Sequence, residues 1–262
     1  MKKDTCAPTA EETPFSCYSN KELQQLKTVY NNNKTYRRKV KGTSAKAIWM
    51  ELATLLPCKQ ESCFATTLNV RTKAFAPKAP ASWKKEAHEW LSSLEFLKLF
   101  KQYEEAFPDF KFFGPSAADY DFKMKNGKCE FDDMCTLDVR KLPPQIKKLG
   151  VVFNLDDHTK DGSHWVAMYV SISKKEVYYF DSSGEKIPSE IYRFYKQIKA
   201  QDGSYKFFQN YPVVHQRGES ECGIYSIFFI LSMMYREDFS VFTKQRWKDM
   251  TMNKLRKKMF RY

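Results

Sequence analysis

The chain has 262 residues, a formal net charge of +13 and seven cysteines. That length suffices for one large domain or a domain with an appendage, burying roughly 70–75% of the unfolded surface, so no disulfide framework is needed to support a core. An odd cysteine count without a repeating framework points to a reducing compartment rather than secretion. MKKDTCAPTAEETPF at the start has no apolar signal-like run, and the longest apolar run, from Ile224 to Met234, is too short to cross a bilayer.

In chain order, residues 21–30 read as a short helix, followed by an NNN turn and the basic stretch 34–41 (KTYRRKVK). Residues 45–56 (AKAIWMELATLL) carry apolar positions at helical spacing and stop before Pro57. A Pro/Ala linker, APKAPAS at 76–82, divides a mostly helical arm at 1–80 from a core at 81–262. One helix is expected from Trp83 up to Pro108, with Trp90, Leu94, Leu97 and Phe100 or Lys101 along its packing face. Residues 109–150 are mixed. The run 151–155 (VVFNL) is a strand, and 164–172 (HWVAMYVSI) and 176–181 (EVYYFD) form a hairpin around a turn at 173–175. A helix at 187–200, a strand region at 205–215, a wholly apolar helix at 222–235 and a basic helix at 243–258 complete an α+β pattern with no internal repeat.

The most informative stretch is YPVVHQRGESECGIYSIFFILSMMY, 211–235. It reads as a strand end, a polar loop and a helix buried on all sides. Cys222 opens that helix, where unpaired backbone N–H groups and the positive dipole end favour an anion and hence a thiolate. Most cysteines are small core residues, but Glu219 and Glu221 before this one should keep the loop wet and the sulfur unsealed.

A sulfur nucleophile needs a base, an orienting group and oxyanion donors. Of the four histidines, His88 falls within the expected helix, His158 in the polar loop DDHTKDG, and His215 at a strand end. His164 opens a strand after a Gly-Ser turn, so its ring can project from the sheet edge. Asp181 closes the neighbouring strand, and a turn centred near Lys174 sets positions 164 and 184 opposite, about one diagonal pair from Asp181. The plain alternative for Asp181 is an aspartate bonding its own turn. Gln216 can aim an amide donor where the Cys222 N–H points. Basic clusters at 34–41, 147–148 and 254–261 are individually solvated faces; summed, they make nucleic acid an accessory partner rather than the primary ligand. Cys58/Cys63 and Cys129/Cys135 are spaced too widely for usual zinc pairs, so no metal or cofactor is expected and these cysteines read as scattered buried thiols.

His164-Trp165, Asp181 and Gln216 ahead of Cys222-Gly223 together resemble the SUMO-protease/adenain-like clan of cysteine proteases. GSHWVAMYV, VYYFDSSG, HQRGESECGIYSIFFI and PCKQESC are similar to the polyprotein-processing branch found in African swine fever virus and related large DNA viruses. The African swine fever enzyme has asparagine where this chain has Asp181. Trp90-Leu91 resembles the clan's Trp-Leu helix, with Ser92-Ser93 in place of the usual Asn-Asp. The resemblance implies a papain-like core with a mixed central sheet flanked by helices, behind an N-terminal helical arm. It also implies endopeptidase cleavage after Gly-Gly motifs in viral structural polyproteins, with Trp90 and Trp165 against the substrate, at host cytoplasmic assembly sites and in the virion. Two other readings keep the fold: an isopeptidase acting on SUMO or ubiquitin conjugates, and a non-catalytic basic virion scaffold.

Overall fold

The computed structural model describes residues 1, 3–11, 13–86 and 88–262. The chain divides into two units, Met1–Ala79 with Lys258–Tyr262, and Pro80–Lys257.

The first unit contains α1 (Asn20–Asn32), α2 (Ala45–Leu55) and α3 (Ser62–Thr67). Ser19 and Glu22 form a reciprocal capping box at the start of α1, and Ser44 caps α2. Leu23, Leu26 and Tyr30 of α1 share one core with Ile48 and Leu52 of α2 and Phe64 of α3. Glu61 is fully buried, yet accepts from Ser16 Oγ (2.6 Å), Trp49 Nε1 (2.8 Å) and the N–H groups of Asp4 and Cys17 (both 3.2 Å). Those four donors offset the cost of removing a carboxylate from water. The expected boundary left the C-terminus with the core, but residues 258–262 cluster with this unit. Arg261 explains the difference: it donates to Ser62 Oγ (2.9 Å) and Ala76 O (3.1 Å) and lies over the Phe75 ring.

In the second unit, α4 (Ser93–Ala106) precedes β1 (Phe110–Ser116) and the single-turn α5 (Asp132–Cys135). Next come β2 (Lys148–Asn154), β3 (Trp165–Ser171), β4 (Glu176–Phe180), α6 (Ser189–Gln201) and β5 (Lys206–Gln209). The chain then forms α7 (Cys222–Arg236), the single-turn α8 (Ser240–Thr243) and α9 (Asp249–Met259). The sheet order is β1-β2-β3-β4-β5, parallel at both outer pairs and antiparallel between. One face packs on α6 through Phe194 and Ile198, while α7 lies against β3 and β2. The expected α+β architecture with a mixed sheet is the one observed.

Several local expectations need correcting. The single helix from Trp83 is a 3₁₀ turn at Ala81–Lys84 and, separately, α4. Ser92 stops any continuation by capping α4 in a box with Glu95, the Ser-x-x-Glu signature of a start rather than an interior. The packing face is therefore Phe96, Leu99 and Phe100, whereas Trp90, Leu94 and Leu97 are 43%, 58% and 46% exposed. β1 went unseen in the mixed region because Gly114-Pro115 interrupts its pattern. The strand region at 205–215 is ordered as β-structure only over β5. The basic terminal helix begins at Asp249, after the separate turn α8.

The hairpin register differs from expectation by one residue, which decides a side-chain direction. Ala167 pairs with Phe180 and Ser171 with Glu176, so continuing the ladder sets position 183, not 184, opposite His164. Residues directly opposite share a face and alternate residues share it too. The observed register therefore brings Asp181 to the His164 face; the expected one would have sent it to the other. Lys175, with φ of 57°, makes the turn that sets this offset.

Candidate active site

Cys222 is the first residue of α7 and is 2% exposed. The expectation of a wet, unsealed sulfur fails on Glu221, which is 5% exposed and accepts from Asn253 Nδ2 (3.1 Å) and Ser220 N (3.2 Å). Glu219 alone of the two faces solvent. Gly223 lets another segment approach: a Cβ there would lie 3.0 Å from Leu91 Cβ. A side chain at 223 would thus push against Leu91, in the segment carrying Trp90.

His164 sits one residue before β3, its side chain 18% exposed. Its Nε2 lies 2.7 Å from Asp181 Oδ1, and the ring also hydrogen-bonds the Cys222 side chain. With Nε2 taken by the carboxylate, Nδ1 is left for the sulfur. Burial is the largest influence on His164 and by itself lowers its pKa. Hydrogen bonds to Asp181 and Cys222, with the charges of both, outweigh it and raise the value to about 9. The ring is therefore an imidazolium across neutral pH.

Asp181 is 1% exposed and is held by its backbone as well as its carboxylate. Its N–H donates to Asn210 Oδ1 (2.8 Å), and Asn210 Nδ2 returns a bond to Asp181 O (2.8 Å). Asp181 Oδ1 also accepts from Ser183 N (2.8 Å). Asp181 thus bonds its own turn and the histidine at once, so the two readings of this residue are compatible. Asn210 was missed in the sequence because nothing in its spacing distinguishes a side chain that pairs with a strand end from any loop asparagine.

Gln216 is 8% exposed in the loop before α7. Its Oε1 accepts from Ser182 Oγ (2.8 Å) and its Nε2 donates to Gly218 O (2.7 Å). Trp165 is 8% exposed; its indole N–H donates to Leu91 O (2.8 Å) and its ring meets Phe96 edge-on. Trp90 and Trp165 both border a cleft of about 460 Å³ that continues past Leu91, Asn154, Asp156 and His158. Trp90 lies before the capping serine, outside the helix in which it was expected.

The other histidines have different surroundings. His215 is fully buried, donates Nε2–H to Phe242 O (3.0 Å) and accepts from Trp247 N (3.1 Å); burial lowers its pKa, so it stays neutral. His88 is exposed and faces Glu221 at 3.6 Å. His158 pairs with Asp119 at 2.6 Å under the Phe122 ring. Six cysteines are joined as Cys6–Cys17, Cys58–Cys63 and Cys129–Cys135, and Cys222 is the free one. These are not scattered thiols, and an odd count made of three pairs and one free sulfur no longer speaks for a reducing compartment. Among the described residues, no group of three or more His, Cys, Asp or Glu is placed to hold a metal, and no helix is long and apolar enough to cross a membrane.

A sulfur heading a helix, an imidazolium beside it and a carboxylate behind that ring define the geometry of a thiol hydrolase. The chain belongs to the Ulp1 protease family: that family's C-terminal catalytic domain matches residues 110–261. It is 35% identical over 162 residues to a putative thiol protease of Acanthamoeba polyphaga mimivirus, covering 58% of this chain and 50% of that protein. It is 32% identical over 118 residues to a cysteine protease of African swine fever virus, covering 43% of each. The chain thus spans about half the length of the curated relatives it matches. The crystal structure of the African swine fever virus protease shares the fold, with a TM-score of 0.68 at 20% identity over 98% of this chain and 95% of that one.

Proposed function

We propose that the chain is a cysteine endopeptidase that cleaves structural polyprotein precursors after Gly-Gly motifs during virion maturation. The observation that carries this reading is His164 bonded to Asp181 at 2.7 Å, with Cys222 acting on the same ring from the head of α7. With the proton already held on His164, the Cys222 sulfur attacks the carbonyl carbon of the scissile bond. Negative charge on the carbonyl oxygen is met by the Cys222 N–H, a first-turn donor of α7 without an intrahelical acceptor, and by an amide hydrogen of Gln216. Collapse expels the amine, which takes the proton from His164. Water, deprotonated by the same ring, then hydrolyses the thioester.

Specificity for Gly-Gly follows from the two tryptophans. A slot between Trp90 and Trp165 narrow enough for an extended backbone excludes any residue with a Cβ by overlap rather than by weaker attraction. The site of action on this reading is the host cytoplasmic assembly site and the virion, where unprocessed precursors accumulate. The basic excess supplies a salt-dependent accessory contact with nucleic acid.

The test is incubation with a panel of Gly-Gly-X peptides beside SUMO and ubiquitin conjugates, with Cys222→Ala as the control. Cleavage of the peptides after the second glycine supports the endopeptidase reading. Cleavage of conjugates alone would replace it with an isopeptidase, by the same chemistry at a different recognition surface.

A further inference from the structure

The loop carrying Gln216 is secured from two directions. On the sheet side stands Ser182, the residue after Asp181, only 1% exposed. Its hydroxyl donates to Gln216 Oε1, and its carbonyl accepts from the N–H groups of His215 and Gln216, all at 2.8 Å. On the opposite side Asp249, at the first turn of α9, accepts from Arg217 N (3.1 Å) and Gly218 N (3.0 Å), and from Tyr225 Oη (2.9 Å). Gly218, fixed in this way, presents the carbonyl that receives Gln216 Nε2 at 2.7 Å.

A glutamine amide has one acceptor oxygen and two N–H donors. Ser182 occupies the oxygen and Gly218 one donor, so one N–H remains uncommitted. Turning the amide over would set its oxygen against the Gly218 carbonyl, two acceptors face to face, and break the bond from Ser182. We propose that Ser182 is a positioning residue for the oxyanion hole: it fixes the direction of the remaining Gln216 N–H, with Asp249 bracing the loop from behind. One turn then serves both halves of the reaction. Asp181 aims the base, and its neighbour aims the oxyanion donor. The inference rests on the proposed role of Gln216.

Ser182→Ala removes the hydroxyl and keeps the backbone contacts. It is expected to lower kcat on a Gly-Gly-aminocoumarin peptide about tenfold, with KM within about twofold, a fraction of what removing an oxyanion donor itself costs. Alkylation of Cys222 by iodoacetamide develops no oxyanion, so its rate should be unchanged. In a Gln216→Ala background, Ser182→Ala should cost nothing further, since a residue acting only through another shows no effect once that one is gone. Asp249→Asn, which keeps the size and loses the charge, repeats the comparison from the other side of the loop and should show the same pattern more weakly. Full turnover in Ser182→Ala, a loss that adds in full to that of Gln216→Ala, or alkylation slowed in proportion overturns the proposal. A Gln216→Ala enzyme with wild-type kcat overturns the oxyanion role and this inference together, whereas a slow Gln216→Ala beside a normal Ser182→Ala removes this inference alone.

Discussion

The second unit contains two histidine–aspartate pairs of nearly equal length, His158–Asp119 at 2.6 Å and His164–Asp181 at 2.7 Å. His158 is 27% exposed and Asp119 23%, and the ring stacks on Phe122 at the rim of the cleft. His164 is less exposed, Asp181 is almost fully sealed, and Cys222 also acts on the ring. Separation from a carboxylate therefore does not single out the candidate base. What else acts on the ring, and how far water is excluded, does.

The sharpest test of that contrast is removal of the sulfur or its base. Cys222→Ala and His164→Ala should each reduce peptide turnover by about 10⁴-fold or more while circular dichroism stays native, because members of such a unit fail together. Next, Gln216→Ala should lower kcat by about 10²–10³-fold, measured under saturating peptide.

Asp181→Asn should be milder, roughly 10- to 100-fold, since the amide still orients the ring. Its signature is in the pH profile. Asp181 supplies the first of the influences that raise His164, so kcat/KM should fall on the alkaline side near pH 9 in the wild-type protein and at lower pH in the variant. Stability carries the same sign. The His164 pKa is raised from 6.5, so its contribution is complete below that pH and is lost as pH rises through about 9, which thermal melting across that window would register. At the small end, His158→Ala should leave turnover within about twofold and lower the melting midpoint by only about 2–4 °C. A large loss of activity there would erase the distinction between the two pairs.

Much of the candidate site was visible in the sequence because each member sits at a punctuation point: Cys222 at the start of an apolar helix, His164 at the start of a strand, Asp181 at the end of the next. Helix and strand ends are what periodicity and turn residues mark best. The contacts among them were less visible. Bringing Asp181 to the His164 face depends on a one-residue register offset set by Lys175. Pattern locates a hairpin turn but not its offset. The helix expected from Trp83 kept its hydrophobic spacing but hid a start at Ser92, although the Ser-x-x-Glu signal was present. Asn210 and Asp249 support the site from distant parts of the chain, and no local pattern announces such partners. The cysteines were misread for the same reason: spacing alone does not say which sulfurs meet.

The pairing of six sulfurs leaves the protein a monothiol. Each mole of a thiol titrant consumed by native protein without reductant therefore counts one intact centre, with no background from other side chains. Specific activity can be normalised to functional molecules rather than to mass, and partial inactivation on storage becomes a stoichiometry that can be read directly.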